Sequence, residues 1–180
     1  MPVRGRSMRR VMVIGGSGAG KSWFARRLGL RTGLPVVHMD QLFWEPGWVA
    51  AEEQVFLGRV AAAIAGDRWV MEGNYSRTWP MRLARADTVI FLDIPTATRV
   101  WRVAQRVLQS LGTVRSDMAA GCPEQVDLDF FFNWVGGYRR RGRPKALALI
   151  ATPPEGLTVH HLRSPRQVRH FVSSLRREGN

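Results

Sequence analysis

Cysteine is nearly absent from this chain of 180 residues, and its single instance, Cys122, can close no internal disulfide and supply no cysteine zinc cluster, which suits a reducing compartment. Lysine is almost as scarce: Lys21 and Lys145 are the two among 27 basic residues. No apolar run approaches the roughly 20 residues that a membrane-spanning helix needs. Nor does an apolar stretch of the signal-peptide kind follow MPVRGRSMRR, so a cytoplasmic protein with no membrane partner is expected. The four histidines lack a metal-ligand spacing, and no internal repeat is visible.

Acid is in short supply too, and 14 acidic against 27 basic residues leave a formal charge of +13. Because nearly all of the base is arginine, whose planar fork suits phosphate, the charge favours anionic partners: nucleotides, nucleic acids or phosphorylated metabolites. The plain alternative is an arginine-rich solvated surface. A hydrophobic content of 45% and a charged content of 23% are those of a globular chain, and the length fits one compact core, residues 1–180. A basic leader over residues 1–9 is expected to be disordered.

Val11 to Ile14 is a β-branched run ending in glycines and reads as a buried strand. A helix is expected from Lys21 to about Arg31, stopped by Thr32-Gly33-Leu34-Pro35, and a second strand at Val36 to His38. A loop holding Pro46 and Gly47 then leads to a helix over about 50–65, whose apolar stripe is Val55, Phe56, Val60 and Ile64. Trp69 to Met71 and Thr88 to Leu92 are strands, with a short helix near Met81 to Ala84 between them. Pro95 opens a helix with Val100, Val103, Val107 and Leu111 on one side; Val126 to Val135 reads as helical, and the cluster Arg139 to Arg143 follows. The chain closes with a strand at Leu157 to Leu162 and a helix over Ser164 to Arg177, capped by Ser164 with Pro165 at its first position. Strands alternating with helices predict an α/β fold, a parallel sheet covered on both faces.

Gly15-Gly16-Ser17-Gly18-Ala19-Gly20-Lys21-Ser22 satisfies G-x-x-x-x-G-K-[ST] between a predicted strand and a predicted helix, the context that its chemistry requires. Its glycines let successive backbone N–H groups face inward as an anion nest at the positive end of the helix dipole. Lys21 would carry its compact ammonium to the β- and γ-phosphates, and the Ser22 hydroxyl would ligate Mg²⁺. The expected ligand is ATP ahead of GTP.

Asp40 follows the second strand, at the carboxyl end where ligands bind in doubly wound folds, and could accept a hydroxyl proton or bind metal-held water; a helix cap is the plain alternative. Two acids compete for the magnesium side: Glu72, which ends the third strand, and Asp93, which ends the fourth. Glu72 is preferred because Gly73 beside it permits close approach, whereas Asp93-Ile94-Pro95 suits a helix start. Phe43, Trp44 and Trp48 fit an acceptor pocket or a core wrap equally.

Together Gly15 to Ser22, His38-Met39-Asp40-Gln41-Leu42-Phe43-Trp44, Pro46-Gly47-Trp48, Glu72-Gly73-Asn74-Tyr75-Ser76-Arg77-Thr78, Phe91-Leu92-Asp93 and Arg115 to Glu124 resemble the adenylate kinase-like P-loop proteins described as DNA topology modulation proteins of the FlaR type. The resemblance implies a three-layer nucleoside monophosphate kinase fold with a parallel five-stranded sheet in the order 2-3-1-4-5 and a lid-like insertion over about 112–145. It also implies that Glu72 takes the magnesium-side acid position and Arg77 the acceptor-phosphate position, with Tyr75 and Arg82 on the same acceptor side. Asn74-Tyr75-Ser76 departs from the adenylate kinase pattern. Arg102 and Arg106, four apart on one helix face, fall where lid arginines neutralise the transferring phosphoryl group, so the expected catalytic set is Lys21, Asp40, Arg102 and Arg106. The cluster Arg139 to Arg143 is expected to close over the site with the lid, a solvated turn being the plain alternative.

Two functions follow. One is a phosphotransferase moving the γ-phosphoryl group of ATP to a small-molecule or nucleotide acceptor. The other is an ATP-dependent regulator that binds nucleic acid through a non-specific basic surface, the topology-modulation reading. No helix-turn-helix, zinc finger or RNA-binding sheet motif is present in the sequence to read bases.

Overall fold

The computed structural model describes residues 8–126 and 135–175. Most of the expected leader, and most of the helix expected at Val126 to Val135, lie outside the described residues. Five parallel strands, β1 (Arg10–Gly15), β2 (Val36–His38), β5 (Trp69–Glu72), β6 (Thr88–Leu92) and β7 (Thr158–Leu162), form one sheet in the order β2-β5-β1-β6-β7. Counted along the main sheet, this is the predicted 2-3-1-4-5.

Alternation along β1 explains the layers. Val11 and Val13 face one side with α1 (Lys21–Thr32) and α7 (Pro165–Ser174), through Phe24, Ala25, Leu28, Val168 and Val172. Met12 and Ile14 face the other, where α3 (Glu53–Ala63), α4 (Trp79–Leu83) and α6 (Tyr138–Ala151) bring Phe56, Val60, Trp79 and Ala146. A strand buried on both faces must be apolar throughout, which is why VMVI and TVIFL read as runs rather than as alternations. Fully burying each large side chain of this kind contributes roughly 1.5–3 kcal/mol.

Local signals set several boundaries. Helix α1 ends at Gly33, which takes φ 66° and returns its N–H to the Gly29 carbonyl. Ser164 caps α7 by accepting from the Gln167 backbone N–H at 3.2 Å. Helix α5 (Thr96–Ser110) starts directly after Pro95.

Two regions differ from the sequence expectations. The region around Pro46 and Gly47 is a small antiparallel hairpin, β3 (Trp44–Glu45) with β4 (Val49–Ala50), following a short helix α2 (Met39–Phe43), so that α3 begins only at Glu53. Its turn holds Gly47 at φ 79° and Trp48 at φ 63°. The arginine cluster lies inside α6, a helix that continues through Pro144 and packs Ala146 on the sheet. Among the described residues, no helix is long and apolar enough to cross a membrane.

Candidate functional site

Strand β1 delivers the chain into the glycine-rich loop at the carboxyl edge of the sheet. Gly15, Gly18 and Gly20 have φ of 154°, 78° and 91°, of which the last two are left-handed values that side chains resist. Gly20 is the N-terminal cap of α1, so the first N–H groups of that helix open onto the loop. Lys21 Nζ lies 3.4 Å from the Gly16 carbonyl oxygen, folded back over the loop, and the Gly15 N–H donates to Asn74 Oδ1 at 3.0 Å. Gly15 to Ser22 thus make the turn from the end of β1 into the first turn of α1, with Lys21 folded over it.

Helix α5 fixes the outer side of this loop. Arg99, almost wholly buried, donates from Nη1 to the Ser17 carbonyl at 3.2 Å and stacks its guanidinium on Tyr138, 4.9 Å from the ring centre. A Cβ on Gly16 would strike Arg99 Nη1 and the Tyr138 ring, and one on Gly18 would strike the Arg99 carbonyl oxygen. Arg102, a predicted catalytic residue, donates from Nη1 to the Ala19 carbonyl at 3.3 Å and so lies against the loop. Arg106, one turn further on, instead pairs with Glu124 at 3.0 Å, and Arg115 Nε approaches the other Glu124 oxygen at 2.8 Å.

Of the two rival acids, Glu72 stands at the loop. Its Oε1 accepts the Ser22 hydroxyl at 2.9 Å and lies 2.8 Å from His38 Nδ1, a neighbour that the β2–β5 register places directly opposite. Asp93 is engaged elsewhere: Arg143 grips it with two bonds, 2.8 and 2.9 Å, and His161 Nε2 lies 3.0 Å away. Burial would raise the Asp93 carboxyl, but the bonds from Arg143 and His161 outweigh it and hold it below the ordinary range. Ser22 and Glu72 offer hard oxygens side by side, a pair that fits a magnesium ion keeping most of its water and phosphate ligands. Among the described residues no group of three or more His, Cys, Asp or Glu side chains forms a self-sufficient metal cage.

Asp40 opens α2 just beyond β2, and Tyr75 donates its hydroxyl to Asp40 Oδ1 at 2.6 Å. Burial lifts the Asp40 carboxyl, and the nearby Glu72 charge adds to the lift; the Tyr75 bond, Lys21 and Arg115 oppose it. Behind this pair the Phe43 and Phe56 rings lie 4.9 and 5.2 Å from Tyr75. The two expected acceptor arginines do other things here. Arg77 pairs with Glu53 at 3.2 Å on the exposed rim. Arg82 is fully buried and donates to the Gly73 and Asn74 carbonyls, and burial pushes its pKa down to about 9.

Two residues that sequence reasoning did not single out matter here. Arg99 gave no local signal, because its target lies 82 positions away in the chain. Asp117 was visible only as part of RSDMAAGCPE. It is buried beside the site, paired to Arg115 at 3.2 Å, with Arg26 Nη1 3.8 Å from its other oxygen. Burial would raise its carboxyl, yet the adjoining Arg115 charge leads the effects that leave it below the ordinary value. The same loop docks on the β3–β4 hairpin: Gly47 N–H donates to Gly121 O and Trp48 Nε1 to Pro123 O, both at 2.9 Å, around a small core of Met118, Ala119 and Cys122.

No family model and no curated protein matches this chain. Solved structures do. Shikimate kinase from Acinetobacter baumannii, in complex with shikimate, is 14% identical over 93% of this chain and 90% of its own, with a TM-score of 0.57. A sugar kinase from a Janibacter species, unliganded, is 15% identical over 93% of this chain and 94% of its own, with a TM-score of 0.50. At such identities the likeness speaks for architecture alone: the chain has the α/β fold of the shikimate kinase-like P-loop kinases.

Proposed function

We propose that the protein is a magnesium-dependent phosphotransferase that moves the γ-phosphoryl group of ATP to the hydroxyl of a small acceptor. The observation that carries this reading is a pair of hydrogen bonds beside the glycine-rich loop: Ser22, in the first turn of α1, to Glu72 at the carboxyl end of β5, and Tyr75 to Asp40 just beyond the adjacent strand β2. In this reading the amides of residues 15–22 hold the triphosphate, and Lys21 and Arg102 offset the charge that develops during transfer. Ser22 and Glu72 hold the magnesium ion, which neutralises polyphosphate charge. Asp40 takes the acceptor proton, and Tyr75 orients it. Arg82 holds the strand end from which Tyr75 reaches, Arg77 borders the acceptor side, and Arg106 secures the loop that carries Asp117 through Glu124. The finer resemblance to FlaR-type proteins is part of the proposal and rests on the motif segments quoted above.

The nucleic-acid reading draws its support from net charge. Many arginines are already committed internally: Arg59 to Glu45, Arg85 to the Ala65 carbonyl, and Arg99, Arg106, Arg115 and Arg143 as described. We therefore favour the enzyme.

Thermal melting with Mg-ATP, coupled to acceptor-dependent ADP release, tests the proposal. Mg-ATP is expected to raise the melting temperature of the parent and not of Lys21→Ala. Asp40→Asn is expected to keep that rise and lose about 100- to 10,000-fold in turnover. Nucleotide that fails to stabilise the parent, or an Asp40→Asn variant with unchanged turnover, refutes it.

A further inference from the structure

The electrostatics around Asp40 run opposite to those of the chain as a whole. Despite the formal charge of +13, the side chains that converge beyond the phosphate loop are acids: Asp40, Glu72 and Asp117. Each arginine within this region already has an acid or a carbonyl. Arg115 lies between Asp117 and Glu124, at 3.2 and 2.8 Å. Arg59, beneath the hairpin, bonds Glu45 at 2.7 Å and the Leu42 carbonyl at 3.1 Å. Arg82 is buried against two carbonyls, and Arg77 faces Glu53 on the rim. Lys21 belongs to the triphosphate.

An acceptor carrying phosphate or carboxylate would have to bury its charge here without a cation, or take Arg115 from Asp117 and Glu124, which would then be left buried and unpaired; Arg77, whose partner Glu53 is exposed, stands only at the rim. The same carboxylates would repel such an acceptor. They would accept hydroxyl or ammonium donors without rearrangement. The neighbouring face is aromatic: Phe43 lies 4.9 Å from Tyr75 and from Trp44, and Trp44 lies 5.4 Å from Trp48, all partly accessible. Such a wall suits the apolar face of a ring and attracts a cation over it.

From these relations, and resting on the phosphotransferase reading above, we infer that the acceptor is a ring-bearing alcohol without phosphate or carboxylate, of the class of nucleosides and neutral or amino sugars. Nucleoside monophosphates and hydroxy acids are refused. In the transfer, the acceptor hydroxyl oxygen bonds to the γ-phosphorus of ATP while the bond from that phosphorus to the β–γ bridging oxygen breaks. The electron pair leaves on ADP, and the hydroxyl proton passes to Asp40.

The test uses the full chain with Mg-ATP and measures ADP release against matched acceptors: nucleosides against their 5′-monophosphates, and neutral and amino sugars against the corresponding sugar acids. We expect saturable release with a non-anionic acceptor, a KM for it that added salt barely changes, and at least about a 100-fold lower kcat/KM for its anionic counterpart. Release that is faster with the anionic member of a pair overturns the inference and leaves the phosphotransferase reading standing. No acceptor-dependent release from any compound, in protein that Mg-ATP still stabilises, overturns both.

Discussion

Tyr75 donates its hydroxyl to Asp40 Oδ1 across 2.6 Å from a backbone held at φ 37°, a left-handed conformation that a bulky side chain keeps only when its surroundings impose it. The surroundings do so here. Gly73 packs against Met39, Arg82 pins the Gly73 and Asn74 carbonyls, and Thr78 returns its backbone N–H and its hydroxyl to the Tyr75 carbonyl. The strained residue thus delivers one oxygen to one carboxylate.

The first prediction concerns pH. In the proposed role Asp40 must be ionised to take a proton, and burial and Glu72 lift its carboxyl above 3.8. Turnover should therefore fall as pH is lowered through a value above the ordinary aspartate range. The Tyr75 bond lowers that value, so Tyr75→Phe should move the acidic limb of the kcat profile to higher pH and reduce the plateau. A limb that stays fixed or moves to lower pH contradicts the coupling.

The second concerns the loop. Gly18 has φ 78°, and a Cβ there would meet the Arg99 carbonyl, which is backbone and cannot swing away. Gly18→Ala should cost about 1–3 kcal/mol in denaturant unfolding, and Mg-ATP should stabilise the variant less than the parent. Parent-like values in both measurements would mean that the loop and α5 are not in the contact described.

The third concerns acid stability. Asp93 titrates below its unfolded value of 3.8, so it favours the folded state above that pH, and the contribution is lost as pH falls through the lower folded value. Asp93→Asn should destabilise the protein by about 1–2 kcal/mol at neutral pH, a figure that allows for the partly exposed Arg143. The gap between parent and variant should close as the pH drops below 3.8. A gap independent of pH would remove the charge from the explanation.

The elements that the sequence disclosed are those whose local chemistry is unambiguous. Val11 to Ile14 and Thr88 to Leu92 are apolar because a central parallel strand has no solvent face, and Gly33 and Ser164 carry the backbone geometry or side chain that ends a helix. Helix α6 was hidden by Pro144, Gly142 and a run of arginines, which read as part of a lid rather than as a helix, while what holds it is the long-range burial of Ala146 on β-sheet residues. At the site, Ser22 and Glu72 were legible from a motif and a strand end, and the structure brings them into contact. The choice between Glu72 and Asp93 was not legible, because it depends on Arg143 and His161, which reach Asp93 from 50 and 68 positions away. The partners of Arg77, Arg82 and Arg106 were equally invisible, since a guanidinium is directed by whichever oxygen the fold brings near.

The sandwich of Gly16 and Gly18 against Arg99, with Tyr138 behind, has a hereditary consequence. A side chain at either glycine has no room unless the helix opposite retreats, and a smaller residue at 99 would unroof the Ser17 carbonyl. Substitutions at these four positions should therefore travel together among descendants of this chain, so that an ancestral change in one would leave its record in the others.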